Sequence, residues 1–154
     1  MAAAIHGVVR ASMDADAILS VSSHRLREIE EAFRVAGFET ELRHGDSDDP
    51  ISAVLVLGDA VGNRVDLLVG LRGFEPAAFS RVVEVSFHGE ILHVVGLEDF
   101  VSMKLFAGGP QDLSDARYAL AAAGESLDMA LLKRLTARFG RGAEQALESL
   151  LANK

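Results

Sequence analysis

The 154-residue sequence contains no cysteine, which excludes disulfide bonds and thiolate metal ligands. It also lacks an apolar run of the roughly 18–20 residues that a membrane-spanning helix needs, so we expect no membrane partner. The first residues carry too short an apolar stretch, with no basic residue before it, to resemble a secretory signal. Hydrophobic residues still make up 49% of the chain, enough for a core without cross-links. These features favour one cytoplasmic domain.

Positive charge is also scarce. The chain has 15 Lys and Arg against 23 Asp and Glu, which gives a formal net charge of −8 at pH 7. Tight, non-specific binding of nucleic acid needs a positive surface, so this balance argues against it. One segment departs from the trend, because residues 133–141, "KRLTARFGR", contain Lys133, Arg134, Arg138 and Arg141. It is either a solvated helix face or a local contact for RNA.

The hydrophobic pattern divides the chain into a strand-rich part followed by helices. Alternating or continuous apolar segments predict strands, and apolar residues spaced by three and four predict helices. The predicted strands are 13–21, 38–44, 51–58, 63–71 and two within 81–96, and the predicted helices are 24–36, 76–81, 97–108, 111–124, 127–140 and 142–154. Strands followed by helices indicate the α+β class, here a mixed β-sheet with flanking helices and a C-terminal helical bundle. We place an α/β core in residues 1–96 and a helical part of the same domain in residues 97–154.

Three aspartates stand inside or beside predicted strands. Asp14 and Asp16 are two positions apart, so both belong to one face of their strand. Asp66, in "VDLLV", joins them only if its strand lies beside theirs. Mg²⁺ prefers oxygen ligands and is often held by two or three carboxylates together with phosphate oxygens, and Mn²⁺ accepts similar ligands. The pattern is therefore either a divalent-metal site or a set of ordinary strand-edge charges.

Several segments together resemble one family. "HGVVRASMDADAIL" resembles the first-strand motif of nucleotidyltransferase-fold proteins, in the branch that contains the abortive-infection AbiEii-type toxins. The matching positions are His6, Gly7, Arg10, Asp14 and Asp16, with Ser12 where threonine is usual. "VDLLV" resembles the strand with the third carboxylate, and "GLEDFVSMKLFAGGPQDLSDARYAL" resembles a later signature matched at Glu98, Asp99, Lys104, Asp112 and Asp115. The resemblance covers roughly residues 5–125.

The resemblance implies a function. It implies transfer of a nucleoside monophosphate from an NTP to a hydroxyl of RNA, a protein or a small molecule, with Mg²⁺ or Mn²⁺ as cofactor. The implied catalytic residues are Asp14, Asp16 and Asp66, which would hold the metal, and Lys104. The implied nucleotide-binding residues are Arg10, Ser12, Lys104 and Asp112, of which Asp112 would orient Lys104 or help to activate the acceptor. A toxin paired with a cognate antitoxin is the implied role, and we add the expectation of a homodimer through the helical tail.

Two departures from the family pattern bear on activity. The family has Gly-Gly or Gly-Ser before its His-Gly pair, where backbone amides and the serine hydroxyl hold the triphosphate, and this sequence has neither before His6. Gly109 stands where the family often carries arginine. We therefore weigh an active enzyme, whose preceding helix would be missing from this sequence, against a catalytically impaired binding or regulatory module of the same fold.

Overall fold

The computed structural model describes residues 1–8 and 14–152, apart from the side chains of Asp14 and Ser23. It divides into two compact units, which we call the sheet unit (residues 11–72) and the helical unit (residues 1–10 and 73–154). The units are described separately below. The protein has the mixed α+β character that the sequence predicts. The C-terminal run of α-helices begins at Leu97, and the two units divide between Arg72 and Gly73.

The described residues form six strands and six α-helices. In chain order they are α1 (Ala2–Ile5), β1 (Asp14–Leu19), α2 (Leu26–Val35), β2 (Glu39–His44), β3 (Ile51–Gly58), β4 (Arg64–Leu71), β5 (Val83–Phe87), β6 (Glu90–Val94), α3 (Leu97–Ala107), α4 (Pro110–Ala123), α5 (Met129–Arg138) and α6 (Arg141–Ala152). Short 3₁₀ helices cover Ser23–Arg25, Pro76–Ser80 and Gly124–Ser126. Each predicted segment contains an element of the expected kind, whereas the single-turn α1 and the 3₁₀ helix Gly124–Ser126 are absent from the prediction.

The sheet unit contains four strands in the order β1-β4-β3-β2. β1 runs parallel to β4, and the other neighbours are antiparallel. The turn between β3 and β4 is closed by Asp59, whose carboxylate accepts hydrogen bonds from the backbone amides of Val61 and Asn63. Such side-chain contacts favour a tight turn, so β3 and β4 form the predicted hairpin. The segment containing α2 carries the chain from one edge strand of the sheet to the other.

The two faces of this sheet differ in polarity. In β3, Ala53, Leu55 and Leu57 are buried and alternate with more exposed residues. Leu26 of α2 and the side chains around it pack on this apolar face. Burial of one such leucine side chain stabilises the fold by about 1.5–3 kcal/mol. Because successive strand residues alternate between faces, Asp66 lies on the face opposite α2.

The helical unit has its own apolar core. Residues from α3 to α6 build it, and its buried members are Val8, Phe100, Val101, Leu105, Ala116, Ala119, Leu120, Leu132, Ala143 and Leu147. Glycine and proline mark the boundary between two helices. α3 ends at Gly108, which has the left-handed conformation, and α4 begins at Pro110. The Asp128 carboxylate accepts a hydrogen bond from the amide of Leu131 and caps α5. None of the described helices is long and apolar enough to cross a membrane.

A two-stranded hairpin also belongs to the helical unit. β5 and β6 are antiparallel, and Phe87 faces Glu90 at the last pair. His88 and Gly89 form the turn with φ angles of 52° and 87°. Two successive positive φ angles match the right-handed twist of the strands, so the break predicted at His88-Gly89 is a tight hairpin turn.

Candidate functional site

Two predicted metal ligands lie on neighbouring strands. Asp16 of β1 is the Cα partner of Asp66 of β4, and the two strands are parallel. Paired residues on adjacent strands belong to the same face, and adjacent strands lie about 4.8 Å apart. The sequence alone does not show whether the strand of Asp66 lies beside that of Asp16. In the structure the two strands are neighbours.

Asp66 already binds a cation of its own strand. Arg64 Nε and Nη2 donate to Asp66 Oδ1 and Oδ2 at 2.8 and 2.9 Å, so the guanidinium contacts both carboxylate oxygens. The two residues are two positions apart and share a face of β4. Side-chain exposure is 44% for Arg64 and 19% for Asp66. Sequence reasoning missed this contact, although the spacing of Arg64 and Asp66 could have indicated it.

The same face carries a second pair of this kind. Glu41 of β2, Val56 of β3 and Asp66 form one row across the sheet. Arg43 Nε and Nη2 donate to Glu41 Oε1 and Oε2 at 2.8 and 2.6 Å. This hydrogen bonding lowers the pKa of the Glu41 carboxyl, and the charge of Arg64 acts in the same direction. We call this face, with Asp16, Glu41, Arg43, Arg64 and Asp66, the carboxylate face.

The other predicted residues of this segment are only partly described. Arg10 and Ser12 lie outside the described residues, and so does the side chain of Asp14. β1 begins at Asp14, which is the Cα partner of Arg64. Among the side chains that the structure describes, no three of the types His, Asp and Glu group closely enough to hold a metal ion. Asp16 and Asp66 are thus the described part of the predicted metal triad.

Lys104, the predicted phosphate ligand, contacts two carboxylates in the helical unit. Its Nζ donates to Asp112 Oδ1 at 2.6 Å and lies 3.3 Å from Asp115 Oδ2. Gln111 Nε2 also donates to Asp115, at 2.8 Å. The contact arises because Lys104 stands in the last turn of α3 and Asp112 in the first turn of α4. Asp112 thus contacts Lys104, and the roles that the resemblance implies for Asp112 stay predictions.

Burial gives this Lys104 cluster (Lys104, Gln111, Asp112 and Asp115) a structural role as well. Asp115 is fully buried, whereas the Lys104 side chain keeps 22% of its surface exposed. A buried carboxylate is costly without a partner, so the ammonium group stabilises Asp115 in the core. The carboxylate face and the Lys104 cluster belong to different units, and their combination into one site stays a prediction.

A larger ion-pair cluster in the helical unit was not predicted. Arg134 Nη1 and Nη2 donate to Glu75 Oε2 and Oε1 at 2.8 and 2.9 Å, and Arg81 Nη1 lies 2.9 Å from Glu75 Oε1. Arg81 also donates to both oxygens of the buried Asp99, at 2.9 and 2.7 Å. Hydrogen bonding from Arg134, and then from Arg81, lowers the pKa of Glu75 to about 2. We call this group the Glu75 cluster.

The Glu75 cluster changes the interpretation of the basic segment 133–141. Arg134 binds Glu75, and Arg138 Nε donates to the carbonyl oxygen of Gly73 at 2.9 Å. Two of the four cations of the segment therefore make contacts within the protein. All four residues are exposed, so these contacts reduce the charge available for an RNA contact without removing it.

The His-Gly pair of the resemblance packs inside the helical unit. His6 Nε2 hydrogen-bonds to the carbonyl oxygen of Val95 at 2.8 Å, as donor, and its ring centroid lies 5.3 Å from that of Phe100. Gly7 has a φ of +83°, and a Cβ atom there would lie 2.6 Å from the Cβ of Ala122. Both residues thus anchor the end of α1 in this unit.

The sequence matches no protein-family model and no curated protein with which it was compared. The functional interpretation therefore depends on the residues themselves. The first juxtaposition is Asp16 beside Asp66 on parallel strands. The second is Lys104 between Asp112 and Asp115.

Proposed function

We propose that the protein is a nucleotidyltransferase-like enzyme that moves a nucleoside monophosphate from an NTP to a hydroxyl acceptor, with Mg²⁺ or Mn²⁺. The observation that supports this proposal most strongly is the register of Asp16 with Asp66 across β1 and β4. Carboxylate oxygens are ligands that these cations prefer, and two carboxylates on one face of adjacent strands can contact a single ion. The two described carboxylates are therefore donors of the kind that the proposed metal takes.

The proposed reaction assigns a task to each group. The acceptor oxygen bonds to the α-phosphorus as the bond from that phosphorus to pyrophosphate breaks, pyrophosphate leaves, and the hydroxyl proton passes to water. The metal, when bound, neutralises charge on the triphosphate. Asp16 and Asp66, with Asp14, hold this cation in the proposal. The resemblance assigns Lys104 to the phosphates, and the 2.6 Å contact with Asp112 restricts where its ammonium group can point.

Calorimetry tests the proposal. Titration of an NTP with Mg²⁺ into the wild-type protein should give binding heat that disappears when EDTA is added. The double variant Asp14→Ala/Asp16→Ala should show no metal-dependent binding. Glu28→Ala removes a carboxylate from α2, where the side chain is 72% exposed, and should bind like wild type. Absence of binding by the wild-type protein to all four NTPs would overturn the proposal.

The acceptor can be identified by label transfer. The proposal leaves RNA, a protein side chain and a small molecule as acceptors. The toxin role and the cognate antitoxin depend on the resemblance, and the homodimer through the helical tail stays a separate expectation. Incubation with an NTP labelled at the α-phosphate and with each acceptor class should label one class. Labelling that persists in Asp14→Ala/Asp16→Ala would contradict the assignment of these carboxylates.

A second candidate function, a catalytically impaired binding or regulatory module, is favoured by the contact of Arg64 with both oxygens of Asp66. In this alternative the Arg64 guanidinium stays bound to the Asp66 carboxylate, and the carboxylate face binds no metal ion. NTP binding that is unaffected by EDTA and by loss of Asp14 and Asp16 would support the module.

A further inference from the structure

We propose that Arg64 is a resident cation that competes with the divalent metal for Asp66, so that metal binding displaces the guanidinium. The inference rests on the proposed function and concerns the regulation of the same site. It gives Arg64 a role that neither the predicted metal triad nor the predicted phosphate ligands include.

The geometry of the pair favours competition. Arg64 occupies both Oδ1 and Oδ2 of Asp66, at 2.8 and 2.9 Å. A metal ion that takes the lone pairs facing the guanidinium replaces at least one of these hydrogen bonds. It would also lie close to a positive charge until the guanidinium moves, and like charges at short range repel. Both effects weaken metal binding while Arg64 is present.

The exposure of the pair permits displacement. Arg64 keeps 44% of its side-chain surface exposed, so its guanidinium can leave Asp66 and remain hydrated. Arg81 and Asp99 make the same two-bond contact in the helical unit, but their exposure is only 24% and 4%. A pair on the surface contributes about 1 kcal/mol or less, whereas breaking a buried pair costs several times more. The contact of Arg64 with Asp66 is thus of the exposed kind, which a doubly charged ion can replace.

The carboxylate face provides a matched control. Arg43 contacts both oxygens of Glu41 on β2, with the same two-residue spacing as Arg64 and Asp66 on β4. Replacing either arginine by glutamine removes one positive charge from this face. Only the change at Arg64 releases Asp66, so the comparison separates direct competition from a general change in charge.

The experiment measures Mn²⁺ alone, with free Mn²⁺ quantified by electron paramagnetic resonance. Arg64→Gln should bind Mn²⁺ about fivefold more tightly than wild type, which corresponds to the loss of one exposed charge pair. Arg64→Ala should behave alike, and Arg43→Gln should stay within about twofold of wild type. The gain should vanish in Arg64→Gln/Asp66→Asn. Far-UV circular dichroism and a thermal melt of each variant establish that the sheet unit is folded.

Three results would overturn the inference. The first is that both Arg64 variants bind Mn²⁺ no more tightly than wild type. The second is that Arg43→Gln gains as much Mn²⁺ affinity as Arg64→Gln. The third is that neither wild type nor Arg64→Gln binds Mn²⁺. The NTP titration of the wild-type protein separates this inference from the proposed function. If the wild-type protein binds NTP but the Arg64 variants bind Mn²⁺ no more tightly, only the proposed competition is overturned. If the Arg64 variants bind Mn²⁺ more tightly but the wild-type protein binds no NTP, only the proposed nucleotide transfer is overturned.

Discussion

Replacing Lys104 by methionine tests whether the Lys104 cluster supports the fold as well as a site. The ammonium group lies 2.6 Å from Asp112 and 3.3 Å from the fully buried Asp115, and methionine cannot replace its charge. Removing one partner of a buried ion pair costs about 3–5 kcal/mol. Because Lys104 is partly exposed and Gln111 still donates to Asp115, we expect a cost near the lower limit of this range. We expect the free energy of unfolding to fall by about 3 kcal/mol.

A second substitution identifies the source of this loss. Asp115→Asn removes the buried charge while its amide oxygen can still accept from Gln111. Lys104→Met/Asp115→Asn should therefore be about 1–2 kcal/mol more stable than the sum of the two single changes predicts. Lys133→Met, on the exposed face of α5, removes a lysine without touching the cluster and should change stability by less than about 0.5 kcal/mol.

Urea unfolding followed by far-UV circular dichroism at the helical minimum is the assay. Four of the long helices, α3 to α6, lie in the helical unit, so the signal reports mainly on this unit. If Lys104→Met is no less stable than Lys133→Met, the structural role of Lys104 is refuted. Additive losses in the double variant would show that Lys104 does not act through Asp115.

Two further predictions concern the helical unit. The pKa of Glu75 is lowered from 4.5 to about 2, so its stabilisation is complete above about pH 4.5 and is lost as the pH falls through about 2. Urea unfolding at several pH values should therefore show a steeper acid loss for wild type than for Glu75→Gln, and parallel curves would contradict this role. Gly7→Ala should lower the free energy of unfolding by about 3 kcal/mol, because positive φ and a clash with Ala122 add together. Gly140→Ala, in the same unit, also has positive φ but meets no atom within 4 Å, so it should cost about 1 kcal/mol, and equal losses would refute the packing argument.

The sequence predicted the local elements well because their signals are local. Alternating burial and flanking turn residues define β3, which has the predicted bounds of residues 51–58. His88-Gly89 marks the turn between β5 and β6 for the same reason. α1 was missed because a single turn of four residues contains no helical period to detect.

The candidate site depends on contacts that local patterns determine only in part. Spacing places Asp14 and Asp16 on one face, but the register that brings Asp66 beside Asp16 is set by pairing of strands far apart in sequence. Glu75 and Arg134 are separated by 59 residues, and no local pattern connects them. Arg64 could have been recognised, because a residue two positions before a strand aspartate shares its face.

The most direct test of the central claim is the Mg²⁺-dependent NTP affinity of Asp16→Asn, Asp66→Asn and the double variant, measured by calorimetry. Two ligands of one metal ion depend on each other, so their losses should not add. We expect each single change to remove most of the metal-dependent binding. The double variant should bind the NTP about as weakly as the single variant with the lower affinity. Wild-type affinity in either single variant, or two small losses that add, would contradict a shared metal site at Asp16 and Asp66.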